Sequence, residues 1–117
     1  MNSYDLMKTA VKAADGRKAI NIKILHLEEL TTLCDYFIIC SGTSTPHMNA
    51  IYEEIDMKLS EAGIKPAARE GLGNPGWVLL DYGDVIVHIF NENSREFYSI
   101  ERLWSDAEEI DVENLID

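Results

Sequence analysis

Residues 77–90 carry the feature that most constrains the fold, two apolar runs that flank the turn sequence Asp-Tyr-Gly-Asp. β-Branched and aromatic residues dominate both runs, which is the pattern of a β-hairpin. In the first strand, Trp77 and Leu79 point to one side of the strand, and Val78 and Leu80 point to the other. A strand that is apolar on both sides must be covered on both sides, by helices of its own chain or by another protein.

Length and composition are those of one globular domain. A chain of 117 residues is long enough to bury a core without disulfides, and 46% hydrophobic with 26% charged residues is ordinary for such a domain. No apolar run approaches the ~20 residues that cross a bilayer. The first residues lack the basic and apolar regions of a signal peptide. We therefore expect a cytoplasmic protein without a membrane partner.

The net charge of −11 limits the classes of partner. Binding to nucleic-acid phosphates needs a concentrated basic surface, which ten scattered Lys and Arg residues against 21 acidic ones do not supply. We expect no direct nucleic-acid binding, whereas a basic protein would be attracted. Six of the acidic residues lie in residues 105–117, which contain no Lys or Arg. The sequence therefore predicts a domain of residues 1–104 followed by a frayed or mobile acidic C-terminal tail, residues 105–117.

Cys34 and Cys40 lie six positions apart on one predicted extended segment. At about 3.3 Å per residue their Cα atoms would be roughly 20 Å apart, beyond the reach of a disulfide. No cluster of His and Cys residues lies near them in the sequence. We expect two reduced core cysteines and no metal site.

The periodicity of apolar residues predicts an α+β fold. The successive elements are a helix at 3–15, strands at 20–27 and 36–40, a long helix, a strand at 65–70, a glycine-rich loop, the hairpin, and a helical stretch around 94–104. The strand at 36–40 is apolar throughout, which indicates a central position. The long helix has the length of a βαβ crossover, so we expect parallel pairing of 36–40 with 65–70. The result is a mixed, about five-stranded sheet with helices packed on it.

The long helix has clear start and stop signals. Thr45 is a suitable N-cap, Pro46 falls at the first helical position, where its missing N–H costs nothing, and Gly63 ends the helix. The loop before it, residues 41–45, lies where backbone N–H groups can bind a phosphate, but it lacks the Lys and the second glycine of a P-loop. A capped strand-to-helix turn explains the same residues.

The other candidate catalytic residues form no recognisable constellation. Glu54 and Asp56 mimic a metal-binding carboxylate pair, but on a helix their side chains diverge by about 200°. His26, His47 and His88 have no partner at a catalytic spacing. We interpret His88, within the second hairpin strand, as a hydrogen-bonded, half-buried residue. We expect no enzyme activity and no cofactor.

Three segments resemble the motifs of the ribosomal silencing factor family (RsfS, also called Iojap-like). They are Asp-Tyr-Phe-Ile-Ile-Cys-Ser-Gly-Thr-Ser at 35–44, Trp-Val-Leu-Leu-Asp-Tyr-Gly-Asp-Val-Ile-Val-His-Ile-Phe at 77–90, and Arg-Glu-Phe-Tyr-Ser-Ile-Glu-Arg-Leu-Trp at 95–104. The resemblance spans residues 6–104, nearly the whole chain. Three ordered motifs of this length make it highly specific.

The resemblance implies a domain related in fold to nucleotidyltransferases but without their catalytic acids. It also implies a translational repressor that binds ribosomal protein L-fourteen on the large ribosomal subunit and blocks subunit joining. The partner-binding residues implied by the resemblance are Trp77, Leu79, Leu80, Asp81 and Tyr82, with Ser44, His47 and Glu70 as weaker candidates. The family motif usually has a second Ser or an Arg before His47, where this chain has Thr45-Pro46.

Two alternatives to repression stay open at this point. The same surface would serve a factor that assembles the large subunit, and the loop at 41–45 would serve a degenerate nucleotide-binding enzyme. The apolar faces of the hairpin also leave open a homodimer, in which a second copy of the chain covers them.

Overall fold

The computed structural model describes residues 1–71 and 76–116, which form a mixed α+β domain. The helices are α1 (Ser3–Gly16), α2 (Thr45–Glu61), α3 (Glu92–Tyr98), α4 (Ile100–Leu103) and α5 (Glu113–Ile116). The strands are β1 (Ile20–His26), β2 (Tyr36–Ser41), β3 (Ala68–Glu70), β4 (Trp77–Asp81), β5 (Val85–Phe90) and β6 (Glu108–Ile110). The predicted glycine-rich loop falls, at residues 72–75, outside the described residues. Within the described ranges, no helix is long and apolar enough to cross a membrane.

The described strands form one mixed sheet in the order β3-β4-β5-β2-β1-β6. At its centre β2 and β5 are parallel, with Phe37 opposite Ile86 and Ile39 opposite His88, and the other neighbouring strands are antiparallel. The predictions of a mixed sheet, a central strand at 36–40 and a hairpin at 77–90 are therefore confirmed. The sheet has six strands among the residues described, instead of about five.

The predicted parallel pair of 36–40 with 65–70 is wrong. β3 lies at the edge of the sheet and pairs antiparallel with β4. Its three residues include Arg69 and Glu70, which do not suit a central position buried on both faces. β5 is apolar almost throughout and takes the place beside β2. The chain thus runs from β2 through α2 to the edge of the sheet and returns through β4 to β5.

α1 and α2 pack on one face of the sheet and enclose the larger hydrophobic core. The sheet contributes Val78 and Leu80 of β4 and Ile38 of β2 to this core. The two helices contribute Met7 and Ile55. The alternation predicted for the first hairpin strand is confirmed, because Val78 and Leu80 are buried while their neighbours on either side are not. One apolar side of the hairpin is therefore covered by helices of the same chain.

The N-cap of α2 lies one residue earlier than the sequence predicts. Ser44, not Thr45, is the N-cap, and its hydroxyl oxygen accepts a hydrogen bond of 3.1 Å from the backbone N–H of His47. Thr45 and Pro46 are then the first two helical residues. The proline is still tolerated, because the first four N–H groups of a helix have no partner within the helix.

The expectation of a frayed or mobile C-terminal tail is wrong for the described residues of this segment. β6 pairs with β1, where Ile110 lies opposite Ile24. Leu115 on α5 is only 5% exposed and packs into the larger core, next to α1. The acidic side chains project from an element whose apolar side chains complete the core, so the high charge of the segment does not prevent it from packing.

Candidate docking surface

The second face of the sheet, opposite α1 and α2, is only partly covered. A smaller cluster, which includes Leu25, Ile39, Phe90 and Ile100, packs on this face under α4 and Trp104. Phe37, Trp77, Leu79 and Ile86 lie on the same face and remain half-buried. We call these four half-buried side chains the open sheet face. Apolar side chains clustered on an incompletely covered sheet are typical of a protein-binding surface.

Trp77 is half-buried in an aromatic group at one end of the open sheet face. Its ring stacks on Phe90 with centroids 4.9 Å apart and packs against Tyr98 at 4.6 Å. The indole N–H donates a hydrogen bond of 3.2 Å to Nδ1 of His88. Trp77 therefore has a fixed position in the isolated chain while part of its ring remains accessible, as in a preorganised interface anchor.

His88 is buried and neutral in the folded state. An indole nitrogen only donates, so Nδ1 of His88 must accept and the imidazole proton must be on Nε2. Burial lowers the pKa of His88 from its ordinary 6.5 to about 4. Nε2 is buried and finds no hydrogen-bond acceptor among the described residues. The interpretation of His88 as hydrogen-bonded is confirmed, but the residue is buried, at 5% exposure, instead of half-buried.

The lowered pKa of His88 predicts a loss of stability in mild acid. As the pH falls below 6.5, His88 becomes protonated in the unfolded chain but stays neutral in the folded chain. The free energy of unfolding that is present above pH 6.5 is therefore lost progressively as the pH falls toward 4. Between pH 7 and pH 5 we expect His88 to lower the free energy of unfolding by about 2 kcal/mol. The measurement is urea unfolding at both pH values for wild type and His88→Phe, because the variant keeps all carboxylates but lacks this group. Equal losses in the two proteins would contradict the burial of a neutral His88.

Carboxylates border the open sheet face. Glu70 on β3 is exposed and lies directly opposite Leu79, on the same side of the sheet. Asp81 follows two residues after Leu79, and its carboxylate accepts a hydrogen bond of 2.8 Å from the N–H of Gly83 in the hairpin turn. Burial, together with the negative charges of Asp35, Asp81 and Asp84, raises the pKa of the Cys34 thiol to about 11. Apolar side chains with an acidic border would complement a surface that is apolar and basic.

A cavity of about 300 Å³ opens beside Trp77 and Leu79. Glu70 and Gly71 form its other described walls. Gly71 has a φ of 78°, and a Cβ at this position would overlap the carbonyl oxygen of Trp77. Glycine is therefore required here both for the backbone conformation and for the close approach of the chain to Trp77.

Two of the partner-binding residues implied by the resemblance lie in the core. Leu80 is fully buried and Tyr82 is 9% exposed, both on the side of the sheet that α1 and α2 cover. Burial also raises the pKa of Tyr82 well above its ordinary value. The expectation that these two side chains belong to a contact surface is therefore corrected, because successive residues of a strand point to opposite faces. Trp77, Leu79 and Asp81 lie on the other side, with Glu70 beside them.

Ser44 and His47 have structural partners at the junction of α1 and α2. Ser44 caps α2, and Nδ1 of His47 accepts a hydrogen bond of 2.9 Å from the backbone N–H of Thr43. The other ring nitrogen of His47 donates to the carbonyl oxygen of Arg17 at 2.8 Å. The imidazole thus joins the end of α1 to the start of α2. These bonds explain both residues without a partner protein.

The features that mimic a nucleotide-binding enzyme have structural partners as well. In the loop at 41–45, the N–H of Gly42 donates to the carbonyl oxygen of Phe90 at 2.8 Å, and the N–H of Thr43 is bonded to His47. Glu54 pairs with Arg17, the residue that follows α1, at 3.0 Å, whereas Asp56 pairs with Arg69 of β3 at 3.1 Å. The two carboxylates diverge as expected from their helical spacing. Within residues 1–71 and 76–116, no three His, Cys, Asp or Glu side chains lie close enough to hold a metal ion together.

The sequence did not identify Phe37 and Ile86 as candidate surface residues. They lie opposite each other on the parallel strands β2 and β5, and both remain half-buried on the open sheet face. Both strands are apolar almost throughout, so no alternation in the sequence distinguishes these two positions from their buried neighbours. Only the register of β2 against β5 shows that they extend the surface that Trp77 and Leu79 begin.

The architecture defines a class of α+β domain in which helices cover one face of a mixed sheet and leave the other partly open. The family model for "Ribosomal silencing factor during starvation" matches residues 1–117 of the chain. The ribosomal silencing factor RsfS of Bacillus subtilis is 39% identical over 113 residues, which cover 97% of this chain and 96% of that protein. The RsfS protein of Halalkalibacterium halodurans is 36% identical over 116 residues, 99% of each chain. A crystal structure of a Chromobacterium violaceum protein, 34% identical, superposes with a TM-score of 0.87 and covers 90% of this chain and 88% of that one.

The chain belongs to the RsfS family of ribosomal silencing factors. The resemblance found in the three sequence motifs is therefore confirmed. The relation in fold to nucleotidyltransferases, which the resemblance also implied, stays a prediction.

Proposed function

We propose that this chain binds ribosomal protein L-fourteen on the large ribosomal subunit through the open sheet face. The bound chain would occupy the surface that meets the small subunit and so repress translation by steric exclusion, without catalysis, in the cytoplasm. The observation that carries the proposal is the position of Trp77 and Leu79, which remain half-buried on the uncovered side of the hairpin. Membership of the RsfS family supports a ribosomal partner.

The charge distribution supports a basic partner. Glu70 and Asp81 flank Leu79, and the whole chain carries a net charge of −11. Such a charge increases the rate of encounter with a basic surface, and apolar contacts then supply most of the affinity. The two contributions predict different effects for substitutions at the border and in the centre of the surface.

The proposed function is tested by reconstituting subunit joining. Purified large subunits are saturated with the chain, small subunits are added, and light scattering reports the joined particles. We expect the amount of joined particles to fall in proportion to the fraction of large subunits that carry the chain. Normal joining by saturated large subunits would contradict repression by exclusion, and large-subunit precursors that accumulate in cells lacking the chain would favour the assembly role instead.

Charge reversal at the border of the surface is expected to slow association. We expect Glu70→Lys to weaken binding to large subunits by about 0.2–1 kcal/mol, mainly through a lower association rate, because exposed charges act through long-range attraction. Stopped-flow association at low and high salt measures this effect, which should shrink as salt is added. Glu53→Lys is the matched control, because Glu53 is an exposed carboxylate on α2, on the covered side of the sheet. Equal slowing by the two variants would indicate a general charge effect and not a local border.

A further inference from the structure

The hydrogen bond from Trp77 to His88 joins the open sheet face to a buried residue of the neighbouring strand. His88 lies on β5 directly opposite Leu79 of β4, so its side chain is on the same side of the sheet as Trp77 and Leu79. The ring of Phe37 packs against the imidazole at an angle of 63°, with centroids 4.7 Å apart. His88 is therefore surrounded by three of the four side chains that form the open sheet face.

A histidine at this position is costly for the fold. Its Nε2–H group is buried without an acceptor among the described residues, and an unpaired buried donor destabilises the folded state. An apolar side chain at this position would carry no N–H group that needs an acceptor. The one favourable polar contact that the described residues give the ring is the bond of 3.2 Å between Nδ1 and the indole of Trp77. What distinguishes His88 from an apolar residue is thus its action on Trp77.

That bond supplies what the ring contacts of Trp77 do not. Phe90 stacks on the indole at 4.9 Å, and the ring of Tyr98 packs against it at 4.6 Å with a tilt of 45°, but apolar ring contacts of this kind are non-directional compared with a hydrogen bond. A hydrogen bond has a direction, so it selects one orientation of the indole. A side chain that is already ordered before binding loses less conformational entropy when it docks.

We propose that His88 is a positioning residue, which holds the Trp77 indole in the orientation that the open sheet face presents to the large subunit. The inference rests on the proposed function and deepens it by naming the residue that preorganises the anchor. The bond between Nδ1 and the indole N–H carries this role. Because Nδ1 accepts from Trp77, the imidazole proton lies on Nε2, where it stays unpaired among the described residues.

Two substitutions separate the acceptor from the ring. His88→Phe keeps a ring but removes the acceptor, and His88→Asn removes the ring but keeps an oxygen near the position of Nδ1. In ¹⁵N spectra of the free chain, the indole resonance of Trp77 should move upfield and exchange faster with water in His88→Phe, and return toward wild type in His88→Asn. Trp104, the other tryptophan of the chain, serves as the internal control. Co-sedimentation with large subunits should show affinity about 3- to 10-fold lower for His88→Phe, with partial recovery in His88→Asn.

The outcomes distinguish this inference from the proposed function. An unchanged Trp77 resonance, or unchanged affinity in folded His88→Phe while Trp77→Ala binds weakly, overturns the positioning role alone. Unchanged binding of folded Trp77→Ala overturns the positioning role and also removes Trp77 from the proposed interface, whereas repression by exclusion is overturned only by normal joining of saturated large subunits. A purely structural bond would lower the unfolding midpoint but leave the affinity of the folded protein unaltered. His88→Leu, which also lacks an acceptor, replaces His88→Phe if that variant does not fold.

Discussion

Replacing Trp77 with alanine is expected to weaken binding to large ribosomal subunits by about 2–4 kcal/mol, roughly 30-fold or more in affinity. The physical reason is that Trp77 combines a large apolar ring with a fixed orientation, held by Phe90, Tyr98 and His88. An ordered aromatic side chain on a partly open surface gains contact area on binding without a large loss of entropy. Equilibrium co-sedimentation measures the change.

The Trp77→Ala experiment needs two controls. Circular dichroism and urea unfolding show that the variant is folded, because Trp77 also contributes packing to its own chain. Tyr4→Ala removes an exposed aromatic side chain from α1, on the helical side of the sheet, and should leave the affinity unchanged. Folded Trp77→Ala that binds like the wild type would remove Trp77 from the interface.

Replacing Leu115 with alanine is expected to lower the free energy of unfolding by about 2–4 kcal/mol. Leu115 is 5% exposed and belongs to the larger core, although it is part of the acidic segment 105–117. Removing its side chain leaves a cavity beside α1 that the short helix α5 can only partly close. Urea unfolding at 25 °C, followed by circular dichroism, gives the difference.

Asn114→Ala is the matched control for Leu115→Ala. Asn114 is the exposed residue next to Leu115 on α5, so its replacement should change the free energy of unfolding by no more than about 0.5 kcal/mol. A similarly small change for Leu115→Ala would mean that the C-terminal segment does not pack in solution. In that case the frayed tail expected from the sequence would be the correct description.

Much of the fold follows from local sequence patterns. The alternation in residues 77–81 predicts which side chains share a face, and the apolar run at 36–40 predicts a central strand; both predictions are confirmed. The pairing of strands is not local. The length of α2 predicts a crossover, but it does not determine whether the next strand pairs with β2 or, as found, lies at the edge while β5 takes that place.

Composition misled the prediction for the C-terminal segment. Six acidic residues suggested a solvated tail, whereas the strand of Ile110 pairs with β1 and the side chains of Ile110 and Leu115 both pack against the larger core. A short segment can fold with a high charge when its few apolar residues find a place in a core built by the rest of the chain. That place is known only once α1 and β1 are positioned.

The candidate surface was only partly predictable for a similar reason. The sequence shows that both sides of the first hairpin strand are apolar, but not which side the helices cover. The structure places Leu80 in the core and leaves Leu79 half-buried, and the register of β2 against β5 adds Phe37 and Ile86. The hydrogen bond between Trp77 and His88 also depends on strand pairing, because the two residues are eleven positions apart in the sequence.

Site-specific photo-cross-linking identifies both the surface that binds the large subunit and the ribosomal protein that it contacts. A benzophenone amino acid is placed at position 79, on the open sheet face, and in a second protein at position 57, where Met57 is exposed on α2. Each protein is bound to large subunits and irradiated, and mass spectrometry identifies the attached ribosomal protein. We expect a cross-link from position 79 to ribosomal protein L-fourteen and none from position 57. A cross-link from position 57 alone, or from position 79 to a different protein only, would contradict it.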